Sequence, residues 1–74
     1  MRLTELASDL EALRADIADE LIAINRYEQQ TFTLTDEEAR ETVARILDER
    51  KQHVALLFGQ LRRLDPKQRE KLDR

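Results

Sequence analysis

The sequence predicts an all-α fold. It reads as a two-helix antiparallel hairpin plus a short C-terminal helix, dimerising into a four-helix bundle. Three observations carry this. The 74 residues include one Gly and one Pro, too little turn material for a hairpin-rich β fold. Charged residues make up 39% and hydrophobic residues 41%, the mixture of long solvated helices. Two long Pro-free stretches carry apolar residues spaced alternately by three and four, the seam pattern of helices packed along their length.

The elements follow in order. Thr4 is the expected N-cap of the first helix, with Glu5 in its first turn. Helix formers then run unbroken to about Phe32. Thr31-Phe32-Thr33-Leu34-Thr35 is β-branched and aromatic, a weak helix former, and reads as a frayed end and connection. Thr35 to Glu38 reads as a capping box, the Thr35 hydroxyl capping and Glu38 reaching back. Its acidic residues also suit the helix dipole. The second helix is expected from Asp36 to about Arg63, ending on the basic pair Arg62-Arg63. Leu64-Asp65-Pro66 breaks it. Asp65 as N-cap and Pro66 in the first turn open a third helix, Lys67 to Leu72. No linker, repeat or low-complexity tract intervenes, so residues 1–74 read as a single domain.

Charge and composition narrow the function. Lys and Arg number 13 against 16 Asp and Glu, a net charge of −3. That balance lacks a basic nucleic-acid footprint or a polybasic membrane anchor, so neither partner is expected. Without Cys there is no disulfide framework, thiolate metal site or Cys nucleophile. The longest apolar runs, Val54 to Phe58 and Leu21 to Ile24, fall far short of a membrane span. The N-terminal stretch has no secretory apolar core, and a cytoplasmic protein is expected. So short a chain without disulfides buries a marginal core and calls for a partner.

The seam locates the chemistry. On the first helix it runs through Leu3, Leu6, Leu10, Leu13, Ile17, Glu20, Ile24 and Tyr27. On the second it runs through Ala39, Val43, Ile46, Arg50, His53 and Leu57, continuing loosely to Leu61 and Leu64. Leu21, Leu47 and Val54 widen the stripe on one flank. Ile22 and Phe58 lie off it, as scattered surface apolars or a second interface. Three seam residues are charged or ionisable: Glu20, Arg50 and His53. Folding the chain back about Leu34 to Asp36 sets Glu20 across from Arg50, with His53 one turn along on the same face. Charged groups at core positions are costly unless paired or bound to metal. The hairpin has one apolar stripe and nothing to cover it; a two-fold dimer is the simplest cover and brings two copies of the polar layer together.

Three blocks carry a family resemblance: Glu20-Leu21-Ile22-Ala23-Ile24-Asn25-Arg26-Tyr27-Glu28, Asp48-Glu49-Arg50-Lys51-Gln52-His53 and Leu61-Arg62-Arg63-Leu64-Asp65-Pro66. They resemble the encapsulated ferritin-like proteins, relatives of rubrerythrin and ferritin cut down to two helices. The similarity spans roughly Asp16 to Leu72. It implies a dimeric four-helix bundle with a di-iron centre at the dimer interface, and a ring of dimers, commonly a decamer. It implies ferrous oxidation, with an encapsulin shell storing the product, and so a cytoplasmic nanocompartment or a shell-fused domain. The first-helix ligand falls on Glu20, the second-helix histidine on His53, and a tyrosine beside the centre on Tyr27. The family's second-helix Glu-x-x-His has Arg50 in its Glu position here. Glu49, four residues before His53, is the substitute ligand the resemblance leaves. Many family members also end in a flexible shell-docking tail, which these 74 residues do not include; a fusion, a trimmed chain and a free-standing protein are the alternatives.

The expected metal ligands are therefore Glu20, Glu49 and His53, with Tyr27 beside them in the catalytic set. Two copies would supply four carboxylates and two imidazoles, the donor set of a two-metal bundle site. Such oxygen and nitrogen donors suit Fe(II), with Mn(II) or Zn(II) as alternatives. The competing expectation is a metal-free structural oligomer held by buried Glu20–Arg50 ion pairs.

Overall fold

The computed structural model describes residues 2–72; Met1, Asp73 and Arg74 of the expected 1–74 domain lie outside them. Three helices follow in sequence: α1 (Leu3–Thr33), α2 (Glu37–Leu64) and α3 (Pro66–Leu72). No strand occurs among the described residues. Helices α1 and α2 pack antiparallel along their length, and α3 continues from the end of α2. The predicted hairpin with a short third helix is what forms.

The helix ends show local chemistry at work. The expected cap of α1 is corrected by two residues: Arg2, not Thr4, is the N-cap, Thr4 lies inside the first turn, and Arg2 N–H donates to Glu5 Oε2 at 3.4 Å. At its other end the helix runs one residue past Phe32. There the Thr31 hydroxyl donates to the Glu28 carbonyl at 2.6 Å, and Leu34 N–H caps onto the Gln30 carbonyl at 2.9 Å. Internal bonds thus carry the helix through a β-branched stretch with weak propensity.

The expected cap of α2 is corrected by one residue. Asp36, not Thr35, is the N-cap, its carboxylate accepting from Ala39 N–H at 2.8 Å. Glu38 then stands one position short of the capping-box place, and the box gives way to a single charged cap. A carboxylate there also meets the positive helix end, which a hydroxyl does not. Asp36→Ala should therefore cost about 1 kcal/mol of stability, and Thr35→Ala much less. Equal losses for the two in thermal unfolding would return the cap to Thr35.

Asp65 does what its position predicts. Its Oδ1 accepts from Lys67 N–H at 3.1 Å and Gln68 N–H at 3.2 Å, and Pro66 is the first residue of α3. Its Oδ2 takes Arg14 from α1 at 2.8 Å. One carboxylate caps α3 and ties the corner back to α1.

The core is thin. Ile17, Ala23, Leu47 and Leu61 are buried, Leu61 most deeply at 3% exposure. Most other seam residues are half-buried, among them Leu13, Ile24, Tyr27, Val43, Ile46 and Leu57. Leu3 and His53 depart from the seam pattern and are exposed. Phe58 is half-buried, whereas Ile22 is exposed. The hairpin measures 50 × 25 × 14 Å, so its thinnest dimension is about that of a single helix layer.

Candidate metal centre

The polar seam residues converge midway along the hairpin. Glu20 stands on α1, between the buried residues Ile17 and Ala23. Arg50 and His53 stand three apart on α2 and therefore on one face. Arg50 Nη1 donates to Glu20 Oε1 at 3.0 Å. His53 Nδ1 lies 3.4 Å from the same oxygen. Side-chain exposure falls from 50% at His53 through 36% at Arg50 to 14% at Glu20. The carboxylate is thus the buried member, reached by two partly solvated nitrogen groups.

Glu20 is used asymmetrically. Its Oε1 carries both contacts, while Oε2 is buried and has no hydrogen-bond partner among the described residues. A buried acceptor left unpaired costs free energy unless something outside the chain pairs it. An open cleft of about 460 Å³ lies against this group, lined by Asp16, Asp19, Glu20, Arg50, His53, Leu56 and Leu57.

Tyr27 sits two turns beyond Glu20 on α1. Its ring centroid is 5.1 Å from Arg26 Cζ and 5.9 Å from Arg50 Cζ, both within cation–π range. Arg26 Nη2 lies 3.5 Å from the phenol oxygen. That hydrogen bond is the main reason the Tyr27 phenol is held below its usual pKa, the charges of Arg26 and Arg50 adding to it. The hydrogen bond to Glu20 is likewise the main cause that raises Arg50 above its ordinary value. Arg50 therefore links the carboxylate to the ring.

Three of the four expected catalytic residues, Glu20, His53 and Tyr27, gather around Arg50. Glu49 does not join them. It is exposed and does not line the cleft, because it stands one residue, or about 100°, around α2 from Arg50. Asp16, Asp19 and Leu56 line the cleft in addition. For Asp16 the signal was spacing, since it stands one turn before Glu20 on its side of α1; Asp19, next to Glu20 and about 100° around the helix, gave no such signal. Leu56 stands one turn after His53. Among the described residues of one chain, no three His, Asp or Glu side chains gather closely enough to hold a metal ion. At the cleft a single hairpin presents the Glu20 oxygen that has no hydrogen-bond partner among the described residues, the His53 imidazole and the Arg50 guanidinium, with Asp16 and Asp19 at its edge.

Comparison with known proteins places the chain. The family model described as EncFtn-like matches residues 1–74. The chain is 37% identical over 65 residues to the encapsulin nanocompartment cargo protein EncC of Myxococcus xanthus (strain DK1622). That alignment covers 88% of this chain and 48% of the relative, so the chain spans about half the length of the curated relative it matches. No solved structure gives a significant match.

Proposed function

The chain belongs to the EncFtn-like family, and from that premise we propose that it is a ferritin-like iron-binding protein, oxidising Fe(II) with dioxygen between two copies. The observation that supports this reading most is the Glu20 carboxylate. One of its oxygens is buried without a hydrogen-bond partner among the described residues, beside His53 and at the edge of an open cleft. A carboxylate oxygen and an imidazole nitrogen are apt donors for a ferrous ion. They fit it as half of a set, and a second hairpin across a two-fold axis would bring the other half. Glu49 would complete the set by turning in from the flank of α2. Each Fe(II) would yield one electron to dioxygen, with protons for the reduced oxygen drawn from water. Tyr27 would orient ligands from the side of the site. An encapsulin shell is the proposed partner, as the name of the Myxococcus relative suggests, and the cytoplasmic nanocompartment the proposed location. A ring of dimers is the proposed assembly.

The Arg50–Glu20 contact supports a second reading. At 3.0 Å it is a complete ion pair, and a metal-free oligomer could rest on it. Iron content separates the two. After anaerobic Fe(II) loading and removal of unbound metal, the native chain should retain about one iron per chain. Glu20→Gln should retain little and lose ferrous oxidation. A folded native chain that stays iron-free through repeated loading would sink the first reading and leave the second.

A further inference from the structure

The residue that breaks the family pattern carries an inference about how the site is filled. We propose that Arg50 is a displaceable counter-ion: it holds the Glu20 carboxylate in the metal-free chain, and gives it up to a divalent cation by moving onto the Tyr27 ring. This rests on the metal-binding reading above.

The geometry supplies both resting places. At one, Arg50 Nη1 is 3.0 Å from Glu20 Oε1. At the other, the Tyr27 ring centroid is already 5.9 Å from Arg50 Cζ. A guanidinium keeps its charge through the move, and an aromatic face is a favourable seat for it. Arg50 is 36% exposed and borders an open cleft, so the swing needs no unpacking of the core.

Electrostatics makes the move obligatory. A divalent cation on Glu20 would share the carboxylate with a fixed positive charge only a few ångströms away. In a partly buried site such like charges repel strongly. Without metal, the same guanidinium removes the cost of a mostly buried carboxylate. Arg50 thus stabilises the empty site and sets a threshold for filling it. Metal affinity should be lower than the donors alone would give, and the bound state should be marked at Tyr27.

The sequence supplies the readout. The chain has one Tyr and no Trp, so its intrinsic fluorescence reports Tyr27 alone. Redox-inert Zn(II) is the probe, titrated into the native chain and Arg50→Gln by calorimetry and by tyrosine emission. Arg50→Gln should bind Zn(II) about two- to fivefold more tightly, the scale set by loss of one partly exposed ion pair. Native tyrosine emission should change with the same midpoint as the heat, and emission from Arg50→Gln should stay flat. Equal or weaker binding by Arg50→Gln, with both chains binding, overturns the proposal and leaves the metal reading standing. So does native emission that ignores bound Zn(II). If neither chain binds Zn(II), the metal reading falls and the counter-ion falls with it. Should Arg50→Gln fail to fold, Arg50→Lys keeps the charge but not the planar group that stacks on a ring. It should bind Zn(II) with a much smaller tyrosine response, and a response equal to the native one overturns the swing onto Tyr27.

Discussion

Ile46→Asp should leave a chain that is monomeric and largely unfolded at micromolar concentration, where the native chain should be a folded dimer or a multiple of it. The reason is the thinness of the hairpin. Its accessible surface is 5914 Å², whereas a compact monomer of its 8.7 kDa would expose about 4,700 Å². Its radius of gyration is 15.7 Å, against about 11 Å for a compact domain of this length. The excess surface is of the order that one partner buries in a stable interface, about 800 Å². Ile46 lies on the seam and is half-buried within one hairpin. Covering the rest of it on both chains should contribute roughly 2–3 kcal/mol per dimer, and two Asp charges on the seam would add repulsion. The dimer dissociation constant should rise about 100-fold or more. Because the core and the interface would be one object, thermal unfolding of the native chain should depend on protein concentration. Sedimentation of native and variant chains is the check. A folded native monomer at micromolar concentration, or a variant that sediments with the native chain, would remove the bundle argument.

The sequence was legible where physical chemistry leaves one choice. A charged residue on an apolar seam needs a partner, so spacing alone sets Glu20, Arg50 and His53 together, and they meet within 3.4 Å. Asp65-Pro66 could only stop one helix and start another. The reading weakened where two residues compete for one role. Thr35 and Asp36 can each cap α2, and the carboxylate wins by its charge. Ala23 is buried, yet one methyl group carries little weight in a hydropathy pattern. His53 sits on the seam by spacing but is half-solvated, because one hairpin covers only one side of the stripe. Glu49 is the same case in sharper form. Spacing allows it to share a side with His53, but the seam belongs to Arg50, and its neighbour is turned outward.

Arg50→Glu should give the larger gain of function, because it restores Glu-x-x-His on α2 at the place where Arg50 now meets Glu20. The new carboxylate would stand three residues before His53, on the same helix face, with Glu20 across the hairpin. Without metal the variant should be less stable than the native chain. Glu20 would lose its counter-ion and gain a like charge, and two such hairpins at an interface would crowd four carboxylates together. With metal the order should reverse. A cation at about 100 times its dissociation constant adds about 2.7 kcal/mol to the state that binds it, so the variant's melting temperature should climb much further on Zn(II) addition than the native one's. Loss of stability in the metal-free variant does not decide between the two functional readings, since both predict it. Ferrous oxidation does, measured on the native chain, Glu49→Ala and Arg50→Glu together. Native turnover abolished by Glu49→Ala would mean that the second-helix ligand has moved by one residue and that Arg50 is tolerated beside the metal. Activity confined to Arg50→Glu, with the native chain as inert as Glu49→Ala, would mean that the ferritin-like scaffold persists here with its cation replaced by a guanidinium.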